Sequence, residues 1–283
     1  MFVIAPPTKQ AGVFLALTFA LSAVCYAFLL APQPVEAFGP GLIASPAIAA
    51  IVTRLLFARP AGRLGLSPGP LRYLAAGYAI PFGYGLAVYA LIWLSGIGGF
   101  SPQALADQAA GQAAIGSPGT FVLTYGLNTA TLGMLLSCLT AFGEELGWRG
   151  LLVPALAQRY SLQATSLISG AAWAIWHYPA ILFVDYHNAG APLWFGLICF
   201  TAMVLGISVV MAWLRLASGS VWPAVLFHAS HNAFIQTLFN PLTAKTRLTP
   251  YVIDEFGVGL ALAALALAWV VWRGQGSASR APA

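Results

Sequence analysis

Eight apolar stretches, each close to the roughly 20 residues that cross a bilayer, dominate what this chain can fold into. They run over about 11–31, 40–57, 73–95, 120–143, 162–183, 192–214, 220–239 and 255–272. A backbone inside hydrocarbon must satisfy its own N–H and C=O groups, so such stretches form helices. Charge content agrees. Only 7% of the 283 residues are charged, whereas about a quarter of a soluble domain is. The expected fold is therefore all-α: a polytopic membrane helical bundle of about eight transmembrane helices, with no soluble domain and a single membrane domain over residues 1–283. The first stretch is too long for a signal-peptide core and is read as a retained helix. Residues 96–119 form the longest polar connection, a loop or a short interfacial helix. The tail 274–283 is expected to be disordered. No internal repeat is visible.

The twelve basic residues then fix an orientation. With a cytoplasmic N-terminus, Lys9, Arg54, Arg59, Arg63, Arg72, Arg149, Arg159, Arg215, Arg273 and Arg280 all face inward. Only Lys245 and Arg247 face outward, with Glu36, Asp107, Asp185, Asp254 and Glu255. Such asymmetry follows the positive-inside rule and supports both the span count and cytoplasmic termini. The expected location is a bacterial inner (plasma) membrane. A net charge of +5, scattered at membrane edges, is no nucleic-acid footprint, and no nucleic-acid partner is expected. Cys25, Cys138 and Cys199 are odd in number and far apart, which fits neither a disulfide framework nor a CxxC metal pattern.

Against this background three polar groups stand out. The first is Glu144-Glu145-Leu146-Gly147-Trp148-Arg149. The chain has seven acidic residues, and a charge at membrane depth costs about 2–3 kcal/mol or more. In a helix Glu145 and Arg149 stand at i, i+4 and pair, while Glu144 points about 100° away. Arg149 thus neutralises one carboxylate and leaves the other for chemistry. Glu144 has Gly147 and Trp148 at i+3 and i+4, so its partner must come from another helix, for which His177 is the expected residue. The second group is His177, one turn after Trp173 and just before Pro179. The third is His228-Ala229-Ser230-His231-Asn232, where His228 and Asn232 share a face. His187, beside Asp185 and Tyr186, is read as a surface residue.

Each group alone has a plain alternative: a structural salt bridge, a packed histidine, an interhelical hydrogen-bond cluster. Together they are the parts of water-activated hydrolysis. Glutamate or histidine acts as general base, and histidine and asparagine N–H groups stabilise an oxyanion. Glu144, His177 and His228 are alternatively the ligands of a zinc-like ion with an open position for water. The helix motif H-E-x-x-H is absent, so such a site would be assembled from separate helices.

In this order the motifs E-E-x-x-x-R, aromatic-x-x-x-H and H-x-x-x-N resemble the CAAX protease and bacteriocin-processing (CPBP, Abi) family of intramembrane proteases. Here they read Glu144-Glu145-Leu-Gly-Trp-Arg149, Trp173-Ala-Ile-Trp-His177 and His228-Ala-Ser-His-Asn232. The resemblance covers roughly residues 120–240, the expected catalytic core. Trp173 stands where the family often has Phe, and His231 lies outside the family pattern. The resemblance implies an eight-span endopeptidase related to the CAAX prenyl endopeptidases. Its implied substrate is a peptide or protein, lipidated or membrane-inserted, met in the lipid bilayer. It implies that Glu144 and His177 activate water and that His228 and Asn232 hold the oxyanion. Glu145, Arg149 and Trp173 support the motifs. Both a divalent-metal and a metal-free glutamate mechanism stay open.

Two other classes compete. A membrane scaffold or bacteriocin immunity protein would keep the fold without catalysis and tolerate loss of Glu144. A transporter using Glu144 and the histidines as a proton relay predicts a repeat between the two halves, which the sequence lacks. One topology test follows from the charge pattern. Reporter fusions at residue 110 and at the C-terminus are expected in opposite compartments, the first outside and the second inside. The same compartment for both contradicts the span count.

Overall fold

Every one of these stretches is helical in the structure, a computed structural model that describes residues 6–57, 62–109, 117–184 and 186–278. Helices α1 (Pro7–Leu29), α2 (Phe38–Leu56) and α3 (Leu71–Ser95) occupy the first three. The polar connection holds a two-residue strand β1 (Gly99–Phe100) and a short helix α4 (Pro102–Gln108); residues 110–116 lie outside the described residues. The fourth stretch is α5 (Pro118–Asn128), the π-helical turn π1 (Thr129–Gly133), α6 (Met134–Glu145), a second π-helical segment π2 (Leu146–Leu152) and α7 (Val153–Ala157). Then come α8 (Leu162–Phe183), α9 (Leu193–Ser218) and α10 (Trp222–His231), which continues into π3 (Asn232–Phe239). Strand β2 (Thr243–Ala244) pairs antiparallel with β1. The short α11 (Thr249–Val252) and the long α12 (Val258–Ala278) end the fold. α12 runs into the segment 274–283 expected to be a disordered tail, so residues 274–278 are helical; residues 279–283 lie outside the described residues.

Local chemistry sets the helix ends. Ser101, Ser117 and Ser161 cap α4, α5 and α8 by accepting backbone N–H bonds from Ala104, Thr120 and Ala164, which satisfies donors that have no partner inside the helix. Gly96 and Gly219 close α3 and α9 with φ of 75° and 70°, the left-handed conformation that glycine adopts without penalty.

The bundle is inverted relative to a soluble protein. On the 118–157 helix Leu132, Leu135, Leu136 and Leu139 are exposed, while Glu144, Glu145 and Arg149 are buried. Carbon faces outward and charge inward, which is the polarity a bilayer demands. Among the described residues α1, α2, α3, the 118–157 helix and α9 are each long and apolar enough to cross a membrane. α8 and α10 with π3 carry the polar motif residues, which dilute their hydropathy.

The fourth stretch differs from the sequence expectation in length. It is one apolar helix of 40 residues, about 60 Å at 1.5 Å per residue and roughly twice the hydrocarbon thickness. Ending it near residue 143 put Glu144 at a membrane edge, far in depth from His177. The continuation through π2 and α7 puts Glu144 inside the helix instead. Glycines 143, 147 and 150 do not break it. Gly143 and Gly147 are packing positions: a Cβ on Gly147 would lie 2.6 Å from both Cβ and O of Pro46 in α2, and one on Gly143 3.2 Å from Ile43 O. Small residues let membrane helices approach this closely.

α9 is the central helix. In its most apolar stretch 67% of residues are buried, against 33% or less in the other long apolar helices. It packs on α8 and α12, and a Cβ on Gly170 of α8 would come within 2.9 Å of Ser208 of α9. These contacts yield a test. Gly147→Ala is expected to cost about 1–3 kcal/mol by overpacking and to lower the melting temperature in detergent. Gly150→Ala, whose nearest contact would be 3.4 Å, should change it much less. Equal melting temperatures for both variants would contradict the α2 contact.

Candidate active site

Arg149 organises the polar core. It is fully buried, as is Glu145. Its Nη1 donates to Glu145 Oε1 at 2.9 Å, and its Nη2 donates to Ser208 Oγ at 2.9 Å. The guanidinium also lies 4.2 Å from the ring centroid of Trp173, a cation–π contact strengthened by the burial of both groups. So the pair expected from i, i+4 spacing forms, and α8 and α9 each add one partner to it.

The same Glu145 oxygen receives a second donor. His228 Nδ1 lies 3.0 Å from Oε1. A carboxylate accepts, so Nδ1 carries the proton and Nε2 is the free end of the ring. Glu145 therefore links the first motif to the third. The ring orientation of His228 is set by a charge on another helix.

Trp173 links the second motif to both. Its indole N–H donates to Glu144 Oε2 at 2.8 Å. Its ring centroid lies 5.6 Å from that of His177 and 5.3 Å from that of His228. Its backbone carbonyl accepts from His177 Nδ1 at 2.9 Å, which leaves Nε2 as the unprotonated atom of a neutral His177. The off-helix partner of Glu144 is thus Trp173 and not His177, contrary to the sequence expectation. An indole is long enough to place a donor at the carboxylate from one turn before His177. The sequence reading gave Trp173 a role in supporting the motifs but no bond to Glu144.

Glu144, His177, His228 and Asn232 all line one cavity of about 320 Å³, at the lower end of the size usual for ligand sites. Leu42, Phe200, Met203, Val204 and Ile207 supply much of its apolar wall. Two of the three motif helices are π-helical beside it: π2 starts directly after Glu145, and π3 starts at Asn232. π-helical turns are rare and concentrate at functional sites. Sequence pattern gave no sign of them.

His231 is the residue the motif reading left without a role. It is buried, lines the same cavity, and bonds Tyr84 and Glu255. Glu255 also lines the cavity, from the turn before α12. His187, read as a surface residue, is half-buried.

Among the described residues no three His, Cys, Asp or Glu side chains are grouped to hold a metal ion. Glu144 gives one oxygen to Trp173, and the Nδ1 atoms of His177 and His228 donate to protein acceptors, which leaves one Glu144 oxygen and the two Nε2 atoms uncommitted, an arrangement that also occurs in metal-ligating histidines.

The network predicts a coupled pair. Glu145→Gln or Arg149→Gln alone leaves a buried charge without its counter-charge and should cost about 3–5 kcal/mol. The double variant should cost less than the sum, because the two residues share one interaction. Melting curves on the three variants in detergent check this, and additive losses would contradict the pairing.

Residues 126–234 match the model of the family described as type II CAAX prenyl endopeptidase, Rce1-like. The matched region includes all three polar motifs. A curated relative, CAAX prenyl protease 2 of the archaeon Methanococcus maripaludis, is 34% identical over 136 residues. That alignment covers 46% of this chain and 47% of the relative; the chain thus spans about half the length of the curated relative it matches. The segment that carries its glutamates, motif histidines and asparagine is thus similar to the CAAX prenyl endopeptidases.

Proposed function

We propose that the chain is an intramembrane CAAX-type endopeptidase that cleaves a peptide bond with water activated by Glu144 and His177, without a metal ion. The observation that carries this reading is the shared cavity, which Glu144, His177, His228 and Asn232 reach from three helices distant in sequence. Trp173 engages Oε2 of Glu144, which leaves Oε1 to take a proton from water. His177, with Nδ1–H donated to a carbonyl, offers Nε2 as a second base. Such general-base help contributes about 10²–10⁴-fold.

The activated water oxygen bonds to the peptide carbonyl carbon, and the C=O electron pair moves onto oxygen. His228 Nε2–H and the Asn232 amide donate to that oxyanion. Glu145 at His228 Nδ1 stabilises the positive charge of a ring protonated on both nitrogens, the form that carries the Nε2–H. The C–N bond then breaks, and Glu144 returns its proton to the leaving nitrogen. Glu145 and Arg149 act at one remove, by holding His228. The apolar wall and the family similarity support a lipidated or membrane-inserted protein end as the substrate. The charge asymmetry supports a plasma-membrane location with both termini cytoplasmic.

The test is cleavage of a prenylated CAAX-type peptide in detergent. Glu144→Gln is expected to lower kcat by about 10²–10⁴-fold with little change in melting temperature, and wild-type activity should survive chelation. Full activity in Glu144→Gln would favour a scaffold. Loss on chelation that zinc restores would overturn the metal-free mechanism.

A further inference from the structure

The cavity has a second carboxylate that the three motifs do not contain. Glu255 is buried, and its segment lies beyond the matched region 126–234. Its Oε1 accepts from His231 Nε2 at 3.0 Å, and its Oε2 accepts from the Tyr186 hydroxyl. With Nε2–H donated, Nδ1 of a neutral His231 accepts from the Tyr84 hydroxyl. Both nitrogens of His231 are therefore committed, and the ring is pinned between α3 and the turn before α12.

The two arms of Glu255 reach different elements that line the site. His231 is the last residue of α10, one turn after His228 and directly before Asn232, where the backbone becomes π-helical. Tyr186 folds back over the end of α8, its N–H donating to Ala180 O at 3.3 Å. Its ring packs near His177, with centroids 6.4 Å apart. One carboxylate thus ties the wall carrying His228 and Asn232 to the wall carrying His177.

Glu255 is itself held by a built support. Asp254 has φ of 66°, a left-handed conformation that costs energy outside glycine and persists where the surroundings enforce it. Asp254 N–H donates to the buried Tyr89 hydroxyl at 3.1 Å. Its carboxylate accepts from Asn240 Nδ2 at 2.9 Å and from the N–H of Glu255 at 2.7 Å. Side chains from α3 and the end of π3 fix the turn that aims Glu255 into the cavity.

We infer that Glu255 is a positioning residue, a clamp that through His231 and Tyr186 sets the distance between the oxyanion wall and the base wall. The inference rests on the peptidase reading for its kinetic consequence and on geometry alone for the clamp. Errors of about 1 Å in the placement of reacting groups cost about 10²-fold, so a clamp acts on kcat. Substrate contacts on the apolar wall are untouched, so KM should hold.

The experiment uses the full chain in detergent, with Glu255→Gln and Tyr186→Phe. Glutamine keeps the size but turns an N–H toward one of the donors of Glu255, which include Gln236 of π3 as well as His231 and Tyr186. Glu255→Gln is expected to lower kcat about tenfold or more with KM within about twofold. Hydrogen exchange should rise in both segments, around Tyr186 and over 232–239. Tyr186→Phe should loosen only the first. Unchanged kcat, a KM rise that accounts for the loss, or unchanged exchange in either segment overturns the clamp. A wild type that cleaves nothing overturns the peptidase reading instead, and the exchange result then decides the clamp by itself.

Discussion

A guanidinium with no access to solvent is the constraint on which the rest of this structure depends. Desolvating Arg149 is costly unless a charge and hydrogen bonds replace water. Glu145 supplies the charge, Ser208 a second acceptor and Trp173 an aromatic face. Even its backbone is used, since Arg149 O accepts from Arg215 Nε at 2.9 Å. These partners come from α8 and α9 as well as its own helix. To satisfy Arg149 is therefore to fix how three helices meet. Glu145, already bound to Arg149, then orients His228 from a fourth.

This arrangement separates holding from reacting. Of two adjacent glutamates, one faces the buried cation and the other the cavity, because neighbouring residues on a helix point about 100° apart. Trp173 is the hinge between the two tasks. One face meets Arg149, its indole N–H meets Glu144, and its carbonyl orients His177. A phenylalanine there would keep the stacking face and lose the donor to Glu144.

Much of this was legible in the sequence, and the parts that were not have physical reasons. Apolar length alone located every long helix, because a bilayer admits few alternatives. Glu145–Arg149 was readable because i, i+4 spacing is local. Partners across helices were not. Glu144 meets Trp173 at a separation of 29 residues, and Glu255 meets Tyr186 at 69; no periodicity encodes such pairs. The helix end was misread for a related reason. Glycines at 143, 147 and 150 look like breaks in a sequence, whereas Gly147 is where Pro46 of α2 packs. The π-helical segments have no compositional mark.

The central claim is that these buried polar groups serve hydrolysis and not only cohesion. The most direct measurement is mass spectrometry of a prenylated CAAX-type peptide incubated with the purified chain in ¹⁸O-labelled water. The account predicts cleavage at one bond, with one ¹⁸O in the new carboxylate of the prenylated fragment. A peptide that binds and is recovered intact would contradict it, and would make the Arg149 network the core of a binding scaffold.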